Sequence, residues 1–173
     1  MATPESDPVP EVGAAIDSGV FRRAVGHLPT GVTVVTAPGA DGPSGLTANA
    51  VSSLSLDPPL MLACLDRGSR TLRAVEAAGR FGVNVLAADQ ADLARGFATK
   101  REMHEKWEGV GWSERAGVPA LDGTVVWVAC TLRDVLAGGD HVIVTGSVLE
   151  VATADADPLV FLRGDYLGLG EAP

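Results

Sequence analysis

The chain has 173 residues, 46% of them hydrophobic and 20% charged, enough for one domain with a real core. Its formal net charge of −9 argues against a nucleic-acid partner, which needs a basic surface to neutralise phosphates. No run approaches the roughly 20 apolar residues of a membrane span, and the N-terminus lacks the basic-then-apolar layout of a signal peptide, so no membrane partner and a cytoplasmic protein are expected.

Residues 1–16 hold three prolines and three acids without helical or strand period, and read as a disordered tail before one domain over 17–173. Asp17 or Ser18 can cap a helix with Phe21, Val25 and Leu28 on one face and Arg22 and Arg23 opposite, ended by Pro29. Gly31 to Ala37 is β-branched and reads as a strand. The turn signal GADGPSG joins it as a hairpin to a strand over 45–56. In that second strand, Thr47-Ala48-Asn49-Ala50 has short side chains, so its backbone can approach a flat ligand and offer it N–H and C=O groups. Ser52, Ser53 and Ser55 add hydroxyls. The plainer reading of the same segment is an edge strand with a serine-rich, solvent-facing side.

Leu60 to Leu65 reads as a buried strand. Ser69 is an N-cap for a helix over 70–78, stopped by Gly79. Phe81 to Leu86 is another strand, and 88–97 has helical spacing with Asp89 at its start. The charged stretch Lys100 to Gly109 reads as a solvated helix or loop. Residues 111–121 look irregular. Thr124 to Leu136 and His141 to Ala152 form a long hairpin about the tight turn Gly138-Gly139-Asp140. A short strand, 159–162, precedes a tail with the only tyrosine, Tyr166. The sum is a mainly β fold, an antiparallel β-barrel with short helices. There is no βαβ alternation and no GxGxxG, so a Rossmann site is not supported.

Cys64 and Cys130 lie far apart in apolar runs. Two buried thiols are favoured over a disulfide. His27, His104 and His141 are scattered without metal-ligand spacing, and no metal is expected. No nucleophile elbow or apolar carboxylate pair is present. Three polar features at strand ends remain. They are the Thr47–Ser53 segment, the Gly68-Ser69-Arg70 turn, whose N–H groups, hydroxyl and guanidinium suit a phosphate, and His141 at a glycine turn. Each also has a plain structural reading: an edge strand, an ordinary N-cap with a surface arginine, an exposed histidine.

Several stretches in this order resemble the short-chain flavin reductase family, the reductase components of two-component flavin-dependent monooxygenases. They are FRRAVGHLPTGVTVVT (21–36), GLTANAVSSLSLDPPL (45–60), FGVNVLA (81–87), KWEGVGW (106–112), GGDHVIVTGSV (138–148) and LVFLRGDYLGL (159–169). The resemblance implies an FMN-binding split β-barrel, Greek-key-like, and an NAD(P)H-dependent flavin reductase. It implies that Thr47, Ala48, Asn49, Ala50, Val51, Ser53 and Leu54 line the flavin ring and ribityl chain. Cys64 falls close to the ring. Gly68, Ser69 and Arg70 match the phosphate turn, and Lys100 stands near the distal part of the cofactor. His141 belongs to the nicotinamide site, as a positioning or hydrogen-bonding group, and Tyr166 to the C-terminal segment that helps bind NAD(P)H. Implied too are FMN or FAD as cofactor, NADH or NADPH as donor, a homodimer, and an oxygenase that receives reduced flavin.

That chemistry agrees with what the chain lacks. Hydride transfer from nicotinamide C4 to flavin N5 is carried by the cofactors, and the protein orients two rings. A passive flavin carrier on the same barrel is the alternative. A pyridoxamine-phosphate-oxidase-like enzyme would want more basic residues around its phosphate.

Overall fold

The computed structural model describes residues 16–169. The expected disordered tail over 1–16 falls, Ile16 apart, outside them. Helix α1 (Ser18–Val25) is capped by Asp17, whose carboxylate accepts from Val20 N at 2.9 Å. No residue of α1 is buried. After β1 (Thr30–Gly31), strand β2 (Thr33–Ala37) is buried throughout and pairs with β3 (Ser44–Ala48) as the intervening turn signal implies.

The strand expected over 45–56 is two strands. The chain turns away at Asn49-Ala50, and β4 (Val51–Leu56) pairs instead with β5 (Pro59–Asp66). The two halves satisfy their backbone groups on different partners, so one straight strand cannot serve both. Helix α2 (Arg70–Ala78) begins where Ser69 Oγ accepts from Leu72 N at 3.0 Å and ends at Gly79, with φ 62° in the left-handed region. Then come β6 (Arg80–Val85), α3 (Ala91–Ala98), α4 (Met103–Trp107), β7 (Trp112–Arg115) and β8 (Val118–Leu121). The long hairpin is β9 (Val126–Gly138) and β10 (His141–Thr153), followed by β11 (Leu159–Leu162) and β12 (Asp165–Gly168). Helix α3 starts after Gln90, not at Asp89, and Gln90 makes no side-chain cap.

Residues 111–121 are not irregular. They form the β7–β8 hairpin, closed by Ala116 and Gly117 at φ 47° and 73°. Two positive-φ residues suit the twist of a tight hairpin. The alternation that betrays most strands is missing, because β7 is exposed at every position and β8 buried at every position.

Seven strands make one antiparallel sheet in the order β3-β2-β6-β9-β10-β5-β4. Its two border strands, β3 and β4, are consecutive in the chain and separated only by Asn49 and Ala50. The sheet therefore curls until its borders meet, and β3 also packs against β5. This is a split barrel rather than a fully closed one. Inside lie Val35, Ala63, Leu65, Phe81, Val83, Cys130 and Val144, with Leu72 and Val75 of α2 plugging the space. On the opposite side, Val34 of β2 and Val32 just before it pack in one cluster with Phe97 of α3 and Trp107 of α4. Strands β1, β11 and β12 form a separate small sheet.

Candidate functional site

Strand β5 is the spine of the site. Its Ala63 and Leu65 enter the core, so by strand alternation Leu62, Cys64 and Asp66 face the other way. Leu62 and Cys64 form part of the wall of a largely apolar cavity of about 870 Å³. Asn49, Ala50, Val51 and Ser52 supply a second wall, pinned to the first where Cys64 N donates to the Ala50 carbonyl at 2.8 Å. The segment read from sequence as a close-approach backbone thus edges this cavity.

The remaining walls were not anticipated. Arg22, Arg23, Val25 and Leu28 come from α1 and the turn after it, and Phe161 and Arg163 from β11 and its turn. Three arginines around an apolar cavity form a local cationic rim in an acidic protein, suited to a flat ligand carrying negative charge. The sequence signal was faint: a double arginine on an amphipathic helix, and an arginine–glycine turn some 140 positions later. Nothing local joins them.

The other sequence-predicted residues distribute around this cavity. The Thr47 hydroxyl donates to the Ala94 carbonyl at 2.7 Å, and the Ala48 carbonyl accepts from Thr33 Oγ1 at 2.6 Å, so both groups are engaged in structure. Ser53 is exposed, and Leu54, at a register shift in β4, is 46% exposed. Cys64 is half-buried, not buried as expected, because it faces the cavity. Cys130 is fully buried, and burial pushes its thiol up to about 12. Both thiols are free.

His141 pairs directly with Asp66 across β10 and β5. Directly opposed residues share a sheet face, so His141 stands on the same face as Cys64, at the end of the strand beyond it. It is not part of the cavity wall. Its Nδ1 lies 2.8 Å from Asp140 Oδ1. That hydrogen bond, and then the imidazole's charge, hold the Asp140 carboxyl below the usual carboxylate range. Arg67 ties this turn to the end of β5, donating from its backbone N to Asp140 O at 3.2 Å and from Nε to His141 O at 3.3 Å. The histidine turn and the Gly68-Ser69-Arg70 turn therefore sit side by side at the end of β5, about 7 Å of extended strand beyond Cys64.

Within the second turn, Gly68 N donates to Asp66 Oδ1 at 2.6 Å, Ser69 caps α2, and Arg70 pairs with Glu102. Lys100 is exposed two residues before Glu102. Tyr166 packs behind the cavity. Its ring lies 5.3 Å from that of Phe161, with the Arg95 guanidinium 5.2 Å over it. Phe161 and Arg163, not Tyr166, reach the cavity from this sheet.

A family profile described as flavin reductase like domain matches residues 25–170. The reductase subunit HsaB of a flavin-dependent monooxygenase from Mycobacterium tuberculosis is 40% identical over 162 residues, covering 91% of this chain and 86% of its own. The NADH-dependent FMN reductase AsuE2 of Streptomyces nodosus subsp. asukaensis is 41% identical over 158 residues, covering 86% of this chain and 83% of its own. Among solved structures, the NADH:FAD oxidoreductase SgcE6 of Streptomyces globisporus superposes with a TM-score of 0.84 at 34% identity, covering 96% of this chain and 100% of that one.

Proposed function

The chain belongs to the flavin reductase-like family, and from that premise we propose that it is an NAD(P)H:flavin oxidoreductase. It accepts hydride from NADH or NADPH onto FMN or FAD and supplies reduced flavin to a partner monooxygenase. The observation that carries the reading is the apolar cavity edged by the Asn49–Ser52 backbone and Cys64. The relatives named above carry the partner: HsaB is the reductase subunit of a monooxygenase.

The residues present fit a flavin. Ala50 and Cys64 leave room for a planar ring against main chain. The cavity interior is apolar, and Arg70 opens α2, the helix that follows the cavity strand β5. When bound, flavin and nicotinamide supply the redox chemistry. The chain's own task is to orient and to exclude water. Asn49, Ala50 and Val51 hold the ring edge, and Gly68, Ser69 and Arg70 hold the phosphate. His141, steadied by Asp140, positions the donor on the cavity face of the sheet. Thr47, Ala48, Ser53 and Leu54 support that wall, and Lys100 and Tyr166 stand at its periphery.

The assembly is a homodimer in this reading. Phe21 and Val25 of α1 and Leu28 of the turn after it are 59%, 46% and 66% exposed, the last two at the cavity wall, a cost that a second copy would remove. The functional unit is one domain over 17–173. No described helix is long and apolar enough to cross a membrane, and a cytoplasmic location is proposed.

The test is loss of NADH or NADPH absorbance under air with FMN, FAD or riboflavin added in turn, for wild type and His141→Ala. The expected result is turnover by wild type, with the variant's KM for the nicotinamide raised far more than its Kd for flavin. No oxidation with any pairing points to a carrier instead. Equal loss of both affinities defeats the role given to His141.

A further inference from the structure

Arg70 opens α2, and its guanidinium is already engaged. Nη1 donates to Glu102 Oε2 at 2.5 Å, and Nη2 donates to the Arg101 carbonyl. Glu102 is no loose surface acid. It is the N-cap of α4: its side chain accepts from the Glu105 N–H, while the Glu105 carboxylate accepts from Glu102 N at 3.1 Å. Helix α4 is fastened to β3 in turn. Gly45 N donates to Met103 Sδ at 3.4 Å, and Trp107 is buried edge-on to Phe97, 5.0 Å between centroids. The backbone that carries Glu102 is therefore anchored, while its carboxylate, with a side chain 68% exposed, can give up the guanidinium.

A second cation shares the spot. Lys106, one turn along from Glu102, donates from Nζ to the Phe97 carbonyl at 3.0 Å. Burial, and then the charge of Arg70, hold its ammonium pKa below the ordinary lysine value. Two cations thus feel each other beside the α4 cap, which carries the Glu102 and Glu105 carboxylates.

We infer that Glu102 occupies the Arg70 guanidinium in the place of the flavin phosphate, and so sets how loosely the flavin is held. This rests on the reading of Gly68-Ser69-Arg70 as the phosphate turn. A phosphate monoester brings three acceptor oxygens and nearly two negative charges to a planar fork that suits them. To be bound it must displace the carboxylate, which then remains close and repels it. Both effects weaken a phosphorylated flavin and leave an unphosphorylated one untouched. A reductase whose product must leave for a second protein needs a hold of this kind.

The experiment measures Kd for FMN and for riboflavin, by quenching of flavin fluorescence at low ionic strength, in wild type, Glu102→Gln and Arg70→Ala. Glutamine keeps the acceptor that caps α4 but not the charge. For an exposed ion pair, Glu102→Gln is expected to tighten FMN about two- to fivefold and leave riboflavin unchanged. Arg70→Ala is expected to weaken FMN alone. If Arg70→Ala weakens FMN but Glu102→Gln does not tighten it, competition is disproved while the phosphate turn stands. Equal tightening of FMN and riboflavin by Glu102→Gln also disproves it. If Arg70→Ala leaves the FMN-to-riboflavin ratio unchanged, the phosphate turn itself is wrong, and the inference with it.

Discussion

Gly146 closes the GDHVIVTG stretch, and its reason for being glycine is space. A Cβ built there meets Phe81 Cε1 at 2.6 Å, Phe81 Cζ at 2.7 Å and Cys130 Cβ at 2.7 Å. Phe81 and Cys130 are both fully buried, so neither can swing into solvent to make room. Overpacking of a filled core costs about 1–3 kcal/mol. In a chain of this size each kcal/mol moves the midpoint by about 2–4 °C, so Gly146→Ala is expected to lower Tm by about 2–12 °C. Circular dichroism melts read this directly. Phe81→Leu removes the ring edge from the clash, so the double variant should melt higher than the sum of the two single losses predicts, by a coupling of about 0.5–3 kcal/mol. A Gly146→Ala protein that melts within 1 °C of wild type (about the scatter of repeat melts), or a strictly additive double variant, would refute the steric account.

Cys64 should react with a small thiol reagent in the folded protein, while Cys130 should react only after unfolding, as peptide mapping can show; labelling of both at equal rates refutes the burial argument. Cys130 also carries a pH signature. Its folded pKa is raised, from 9.0 to about 12, so the native state keeps a proton that the unfolded state loses. The contribution is fully present below about pH 9 and falls by up to about 1.4 kcal/mol per unit as pH rises toward 12. Cys130→Ala should flatten that part of a denaturant-midpoint-versus-pH curve, and an unchanged slope rejects the cause. On the exposed surface of α1 and the turn after it, Phe21→Arg with Leu28→Arg should convert a dimer to a monomer in light scattering, with little change in monomer secondary structure; a dimer that survives both changes is not built on this surface.

Local signals made much of this fold legible. Ser69 and Gly79 mark the ends of α2, and the Gly138–Asp140 turn marks the β9–β10 hairpin, because caps and turns are written within a few residues. The break at Asn49-Ala50 was not legible, since it follows from which distant strands take up the backbone bonds on either side. The β7–β8 hairpin escaped notice because its two strands are each uniform in burial. The same contrast runs through the site. Asn49 and Ala50 could be picked from short side chains in one segment, whereas Cys64, read from its apolar run as a buried thiol, was placed near the site only by the family resemblance. Arg22, Phe161 and Arg163 reach the cavity only because α1 and the β11–β12 turn fold over it, an arrangement no short-range pattern records.

The two-residue link at Asn49-Ala50 has a mechanical corollary. It is the one place where both rims of the curled sheet are covalently tied, so it works like the clasp of a bracelet. A molecule seated there would touch both rims at once, since Asn49, Ala50 and Val51 share one cavity with Leu62 and Cys64. Lengthening the clasp would therefore slacken the whole circumference instead of merely adding a loop.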